Sequence, residues 1–177
     1  RLHQLGKPPV LALTATATQA VRDDIIRYLG MRNPDIVASS PHRANLAFEV
    51  VHATGNERLR ALVRFIKRLR RPGIVYCATT KEVDRLHGAL ERMRVPVHKY
   101  HGRMTAKDRN REQELFMRRG RRTIMVATSA FGLGIDKPDI RYIIHFQAPA
   151  SLEQYVQEAG RAGRDGRRAN CILLFDP

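Results

Sequence analysis

An α/β domain, with a mostly parallel sheet flanked by helices on both faces, is the fold class that this sequence predicts. Three observations carry it. Short apolar runs alternate with amphipathic helical patterns along most of the chain, which is the signature of repeated β-α units. The helical patterns open on capping signals. The 43% hydrophobic content over 177 residues is enough for a real core.

Taken in order, residues 9–13 (P-V-L-A-L) form a short apolar run consistent with a buried strand. A T-A-T-A-T run follows, and then Val21, Ile25, Ile26 and Leu29 fall at helical spacing between residues 18 and 29. Residues 30–43 hold Asn33-Pro34-Asp35 and Ser39-Ser40-Pro41 with little periodic apolar structure, so a domain boundary is expected there. Beyond it, strands are predicted at 47–51, 73–77, 95–100, 123–127, 142–146 and 171–175. Helices are predicted at 57–69, 81–93, 106–118 and 152–160. Leu59, Leu62, Val63, Ile66 and Leu69 make one apolar face, and Val83, Leu86 and Leu90 another. Thr79-x-x-Glu82 and Ser151-x-x-Gln154 read as capping boxes.

Composition narrows the function classes. The net charge is +15 and arginine dominates the basic residues, which favours a polyanionic partner, nucleic acid first. A heavy arginine bias can also reflect genomic base composition. Aromatic residues are few and tryptophan is absent, which argues against stacking platforms as the main mode of binding. No apolar run reaches the ~18 residues of a membrane span, and the first residues carry no signal-peptide pattern. Cys77 and Cys171 sit in strand-like runs and read as buried free thiols, so nothing argues for an oxidising compartment. The chain begins at Arg1 rather than Met and is expected to be part of something longer.

One stretch organises the rest: residues 154–166, Q-Y-V-Q-E-A-G-R-A-G-R-D-G. Arg161 and Arg164 stand three residues apart among Gly160, Gly163 and Gly166. Two guanidinium forks directed the same way from a helix end can bind a polyphosphate bidentately. A solvated basic turn is the other reading of the same spacing. Further loops follow predicted strands, where parallel sheets place their ligand contacts. They contain Thr79 and Thr80, His101 and Gly102, and Thr128 and Ser129. Hydroxyls and N–H groups there suit phosphate, although each threonine can equally be a helix cap. Gly132-Leu133-Gly134-Ile135-Asp136 allows a tight turn beside a ligand, with Asp136 able to accept from a pair of hydroxyls. His98-x-x-His101 lacks a nearby cysteine or carboxylate in sequence and does not read as a metal site.

These residues carry a resemblance. Residues 157–166, Q-E-A-G-R-A-G-R-D-G, resemble the last helicase motif of superfamily-two helicases in the form seen in the RecQ family of DNA helicases. V-A-T-S-A-F-G-L-G-I-D-K-P-D at 126–139 resembles the preceding motif. I-V-Y-C at 74–77, Tyr100-His101-Gly102 and the 14–18 threonine run match three more, in order. The resemblance implies a RecA-like fold for residues 36–177 as the second motor domain, with residues 1–35 the end of the first. It implies an ATP-dependent DNA helicase of 3′-to-5′ polarity in the full-length protein, working in DNA repair and recombination. It assigns arginine-finger chemistry to Arg161 and Arg164, and nucleotide contacts to Gly134, Asp136 and Gln157. The backbone of single-stranded or partly duplex DNA would meet Thr79, Thr80, His101, Gly102, Thr128 and Ser129. The partners are then that DNA and the first RecA-like domain in cis, with no membrane. The setting is intracellular, in a bacterial nucleoid or a nucleus.

The sequence lacks a G-x-x-x-x-G-K-[ST] loop and a D-E-x-H run, which the family carries in its first domain. ATP with Mg²⁺ is therefore expected to be held chiefly by that first domain, and the chain alone is expected not to hydrolyse it. The family's zinc-binding cysteine cluster is not in this stretch either. Two other readings remain: a nucleic-acid-binding module without motor activity, and a DEAD-box-like RNA helicase domain. The forms of the two last motifs argue against the latter.

Overall fold

The computed structural model describes residues 8–14, 17–38, 42–70, 72–118, 122–132 and 134–176. The chain forms two compact units, Arg1–His42 and Arg43–Pro177. Ala15 and Thr16 of the threonine run, Ser39-Ser40-Pro41 and Leu133 lie outside the described residues.

In the first unit, α1 (Gln19–Leu29) is capped at its start by Thr18, whose Oγ1 accepts from Val21 N–H. Gly30 ends it in the left-handed region at φ 61°, where its N–H and that of Met31 return to the last turn. The strand expected at 9–13 is not formed. Leu11 and Leu13 are 80% and 83% exposed, and the described residues of this unit contain no second strand. An apolar run becomes a strand only when another strand takes its backbone hydrogen bonds.

The second unit carries β1 (Leu46–His52), α2 (Gly55–Arg68), β2 (Gly73–Tyr76), α3 (Thr80–Arg92) and β3 (Val97–Tyr100). It continues with α4 (Ala106–Met117), β4 (Ile124–Ala127), β5 (Tyr142–His145), α5 (Leu152–Ala159) and β6 (Ala169–Phe175). The strands form one six-stranded sheet in the order β1-β6-β5-β2-β4-β3, and every pairing is parallel. Each predicted element of this unit is present within a few residues of its expected limits. The strand expected from residue 95 starts at Val97 instead. Arg94, at φ 57°, and the Val95 N–H bond back to Leu90 still belong to the end of α3, and Pro96 has no N–H to give a ladder.

Alternation along the strands sorts the core into two layers. Val75, Cys77, Ile124, Val126, Ile144, Ile172 and Leu174 face α2 and α3, packing on Leu62, Ile66, Val83, Leu86 and Leu90. Ile74, Tyr76, Met125, Ala127, Ile143 and Cys171 face the other way, toward Phe116 of α4, Ala159 of α5 and the Phe131–Ile140 segment. Helices thus cover both faces of the sheet. Both cysteines are buried free thiols, and burial pushes the Cys171 thiol up to about 12. No helix among the described residues is long and apolar enough to cross a membrane.

Candidate nucleotide and nucleic-acid site

Helix α5 leads into the arginine loop, residues 160–168. Ser151 Oγ accepts from Gln154 N–H, while the Gln154 side chain accepts from Ala150 N–H rather than from Ser151. The capping box therefore closes one residue earlier than the pattern predicts. The helix stops at Ala159, and Gly160, Arg161 and Ala162 continue in turns. Gly163 (φ 55°) and Gly166 (φ 79°) then reverse the chain in a region that favours glycine. At Gly163 the space is closed as well. A Cβ there would lie 2.6 Å from both Arg167 O and Asn45 Nδ2.

Both arginines turn toward the glycine-rich loop that follows β4. Arg161 Nη1 donates to Gly132 O, and a Cβ at Gly132 would collide with the guanidinium. Arg164 Nη1 donates to Ile135 O and to Asp136 Oδ1, each at 3.1 Å. Arg161 Nε has no hydrogen-bond partner among the described residues. The side chain of Arg164 is 38% exposed and that of Asp136 is 84% exposed. Gly134, at φ 77°, makes the turn between the two contacts. Thus Arg161, Arg164, Gly134 and Asp136 meet in one place. Gln157 lies on an exposed position of α5.

Several residues that build this site were not singled out in the sequence. Tyr76 donates its hydroxyl to Phe131 O at 2.9 Å, fixing the start of the glycine-rich loop. Burial pushes its phenol well above the ordinary range, against the nearby Arg161 guanidinium, so it remains a neutral donor. Arg43 and Asn45, just before β1, hold the arginine loop from the other side. Asn45 Nδ2 donates to Gly163 O at 2.8 Å and to Arg167 O at 2.9 Å, and Arg43 Nη2 donates to Gly163 O at 2.8 Å. Their partners lie over a hundred residues away, so no local pattern could reveal them. Beneath α5, buried Glu158 accepts from Gln154 Nε2 at 3.0 Å and faces His145 Nε2 at 2.8 Å. Such a pair satisfies two polar groups that would otherwise be costly to bury. The pair borders a cavity of about 290 Å³ at the carboxyl ends of β2 and β5.

The other predicted residues follow the carboxyl ends of the neighbouring strands β2, β4 and β3. Thr79 caps α3 by accepting from Glu82 N–H at 3.2 Å, and Thr80 is the first residue of the helix. The Thr79 hydroxyl keeps its proton to donate. Thr128 N–H donates to Tyr100 O, joining the β4 and β3 loops, while its hydroxyl makes no hydrogen bond among the described residues. Ser129 and Gly102 are exposed. His101 departs from the others. It is 5% exposed, and its Nε2 lies 3.4 Å from Asp84 Oδ1, which also takes Lys99 Nζ at 2.6 Å. Its ring is therefore part of the support behind the loop. His98 Nδ1 meets Glu112 at 2.7 Å, so the two histidines serve different neighbours.

Comparison with known proteins bears on the family and the fold. Residues 57–166 match the family "Helicase conserved C-terminal domain". The chain is 45% identical to the ATP-dependent DNA helicase RecQ of Bacillus subtilis, over 97% of this chain and 29% of that protein. It is 40% identical to the probable ATP-dependent DNA helicase RecS of the same organism, over 98% of this chain and 35% of the relative. The chain thus spans about a third of the length of these curated relatives. Among solved structures, S. cerevisiae Dbp5 bound to RNA and ADP BeF3 superimposes with a TM-score of 0.78 at 21% identity, covering 93% of this chain and 44% of that one. A DEAD box protein from Methanococcus jannaschii gives 0.69 at 26% identity, over 92% and 44% of the two chains. The fold is RecA-like, and the chain belongs to the helicase conserved C-terminal domain family, in its RecQ type.

Proposed function

We propose that this chain is the second motor domain of an ATP-dependent DNA helicase of 3′-to-5′ polarity, with residues 1–35 the end of the first motor domain. One observation supports this above the others: Arg161 and Arg164 stand side by side against the glycine-rich loop that bears Asp136. A module that only held nucleic acid would have no use for two forks set into a second loop, away from the Thr79 and Thr128 loops.

In this reading ATP with Mg²⁺ is bound chiefly by the first domain in cis, and the arginine loop meets its phosphates across the cleft. Arg164, the more exposed of the two, neutralises charge as it develops on the transferring phosphoryl group. Arg161, tied to Gly132 O, orients the loop and the phosphate. Asp136 and Gln157 complete the nucleotide side. The Asp136–Arg164 pair then opens as nucleotide binds, which frees the carboxylate for a hydroxyl pair. The exposed groups of Thr79, Thr80, Gly102, Thr128 and Ser129 take DNA phosphates. His101 supports them from behind rather than touching DNA through its ring. A helicase of this kind acts on intracellular DNA. Identities of 45% and 40% to DNA helicases, against 21–26% to the DEAD-box structures, favour DNA over RNA.

The test is Arg164→Ala in the parent helicase. An arginine finger is worth roughly 10³–10⁵ in rate, so DNA-stimulated hydrolysis should fall by orders of magnitude with little change in DNA affinity. Lysine should rescue poorly, because it lacks the fork. Hydrolysis near wild type in both Arg161→Ala and Arg164→Ala would sink the reading.

A further inference from the structure

A cluster of basic side chains in the second unit lies at the opposite end of the sheet from the Thr79, His101 and Thr128 loops. A cleft of about 1040 Å³ opens where the strands begin. Lys67, Arg68 and Arg70 reach it from the end of α2. Arg122 precedes β4, Arg141 precedes β5, and Arg167 and Arg168 precede β6. Ile66, Leu69 and Pro72 add apolar lining, and Asp139 is the single acidic residue of the lining among the described residues.

The charge is compensated only in part. Asp139 is already engaged by Lys137 Nζ at 3.1 Å. Among the described residues, no carboxylate pairs with Lys67, Arg68, Arg70, Arg122, Arg167 or Arg168. Arg141 is paired with Asp165, yet its buried Nη1 has no partner. Lys67 and Arg68 lie in the last turn of α2 and offset its dipole there. Arg70, Arg122 and Arg168 lie outside every helix, so that explanation does not reach them. Like charges held around one concavity repel one another, and an anion relieves the repulsion.

The layout indicates what kind of anion. Strands β6, β5, β2 and β4 are consecutive neighbours in the sheet, so the arginines ahead of them form a row. Neighbouring strands are ~4.8 Å apart, which makes the row roughly 14 Å long. That is the rise of about four nucleotides along one strand of a B-form duplex. A lone phosphate would need one focused pocket, and this is a track.

We infer that this cleft is a second nucleic-acid-binding surface, which takes the sugar-phosphate backbone of DNA at the amino-terminal edge of the sheet. It is separate from the Thr79 and Thr128 loops and does not depend on the arginine-loop assignment. Forked arginines along the track contact phosphates without reading bases.

The test compares two triple variants of the 177-residue chain, each three positive charges lower than wild type. The cleft variant is Arg70→Ala, Arg122→Ala, Arg168→Ala. The control is Arg60→Ala, Arg64→Ala, Arg92→Ala, on exposed faces of α2 and α3. Circular dichroism melts check that both fold, and labelled single-stranded and duplex oligonucleotides are titrated across a range of salt. The cleft variant should lose more than about tenfold in affinity at low salt. Its log K against log salt slope for single strands should fall by about 2, since each lost phosphate contact removes about 0.7. The control should stay within about threefold of wild type. Equal losses in the two variants would overturn the proposal, because net charge alone would then explain binding. So would unchanged oligonucleotide binding in the cleft variant. Loss of polyglutamate binding in that variant, with DNA binding intact, would overturn it in favour of an acidic protein segment.

Discussion

The arginine loop and the loops at the carboxyl ends of β2, β3 and β4 both offer groups suited to phosphate, yet they are held in different ways. The arginine loop is fixed by bonds from far along the chain: Arg43 and Asn45 on its carbonyls, Arg141 on Asp165, and its own arginines on Gly132 and Ile135. The carboxyl-end loops are held mostly by near neighbours. Thr79 caps Glu82, Thr105 caps Asp108, and Arg109 reaches back to the carbonyls of Gly102 and Met104. The difference would suit the two tasks proposed for them. A group that must meet a developing charge has to be in place beforehand. Groups that follow a moving polymer can adjust locally.

This contrast can be broken by mutation, starting with the largest expected effect. His145→Leu leaves the Glu158 carboxylate buried under α5 without its ring partner. It should cost about 3 kcal/mol, the loss of a hydrogen-bond partner to a buried polar group, read from the urea midpoint. A loss of only a few tenths would mean that the support beneath the arginine loop is dispensable.

Gly163→Ala places a Cβ at φ 55° against the carbonyl of Arg167. The strain and the backbone shift should together cost about 2–3 kcal/mol. The same substitution at Gly102, where the added Cβ would meet nothing within 4 Å, should cost far less. Near-equal values would end the claim that the arginine loop is the more constrained of the two.

Asn45→Ala removes two hydrogen bonds to carbonyls of the arginine loop and should cost about 1–3 kcal/mol. In the parent helicase it should lower kcat for ATP more than it changes DNA affinity, since it displaces Arg164 and leaves the Thr128 loop alone. Thr79→Ala removes one helix cap and should cost about 1 kcal/mol. Its effect should fall on DNA affinity and not on hydrolysis.

The smallest effect is on acid stability. The carboxyl of Asp84, hydrogen-bonded by Lys99, is held below its ordinary 3.8. Burial raises that of Asp165, but the hydrogen bonds from Arg141 and the Arg167 N–H, with the charges of both arginines, together outweigh it, so it too lies below 3.8. Each folded value is depressed, so each contribution is complete above pH 3.8 and is lost as pH falls through the folded value. Asp165→Asn should therefore flatten the loss of stability below pH 4, measured by urea unfolding at stepped pH. An unchanged acid limb would show that the Arg141 pair does nothing for the loop.

Much of this molecule was legible in its sequence. Alternating runs with the 3.6 and 2.0 periods gave each element of the second unit, because burial on one or both faces is written locally in residue order. Ser151 and Thr79 could be caps on the same ground, since their partners lie three residues away. The arginine pair stood out for its glycines, two of which the structure needs at positive φ. Residues 9–13 failed because a strand is a property of a pair, and no second strand is described in that unit. His101 read as a contact residue, and its burial beside Asp84 of α3 could not be seen from its own stretch. The clamp of Arg43 and Asn45, the His145–Glu158 pair and the basic cleft were invisible for the same reason. Each unites residues that only the strand order β1-β6-β5-β2-β4-β3 brings side by side. Local periodicity therefore determined the elements, and the glycine-flanked motif marked the arginines, whereas sheet order decided which side chains hold them and where the basic charge collects.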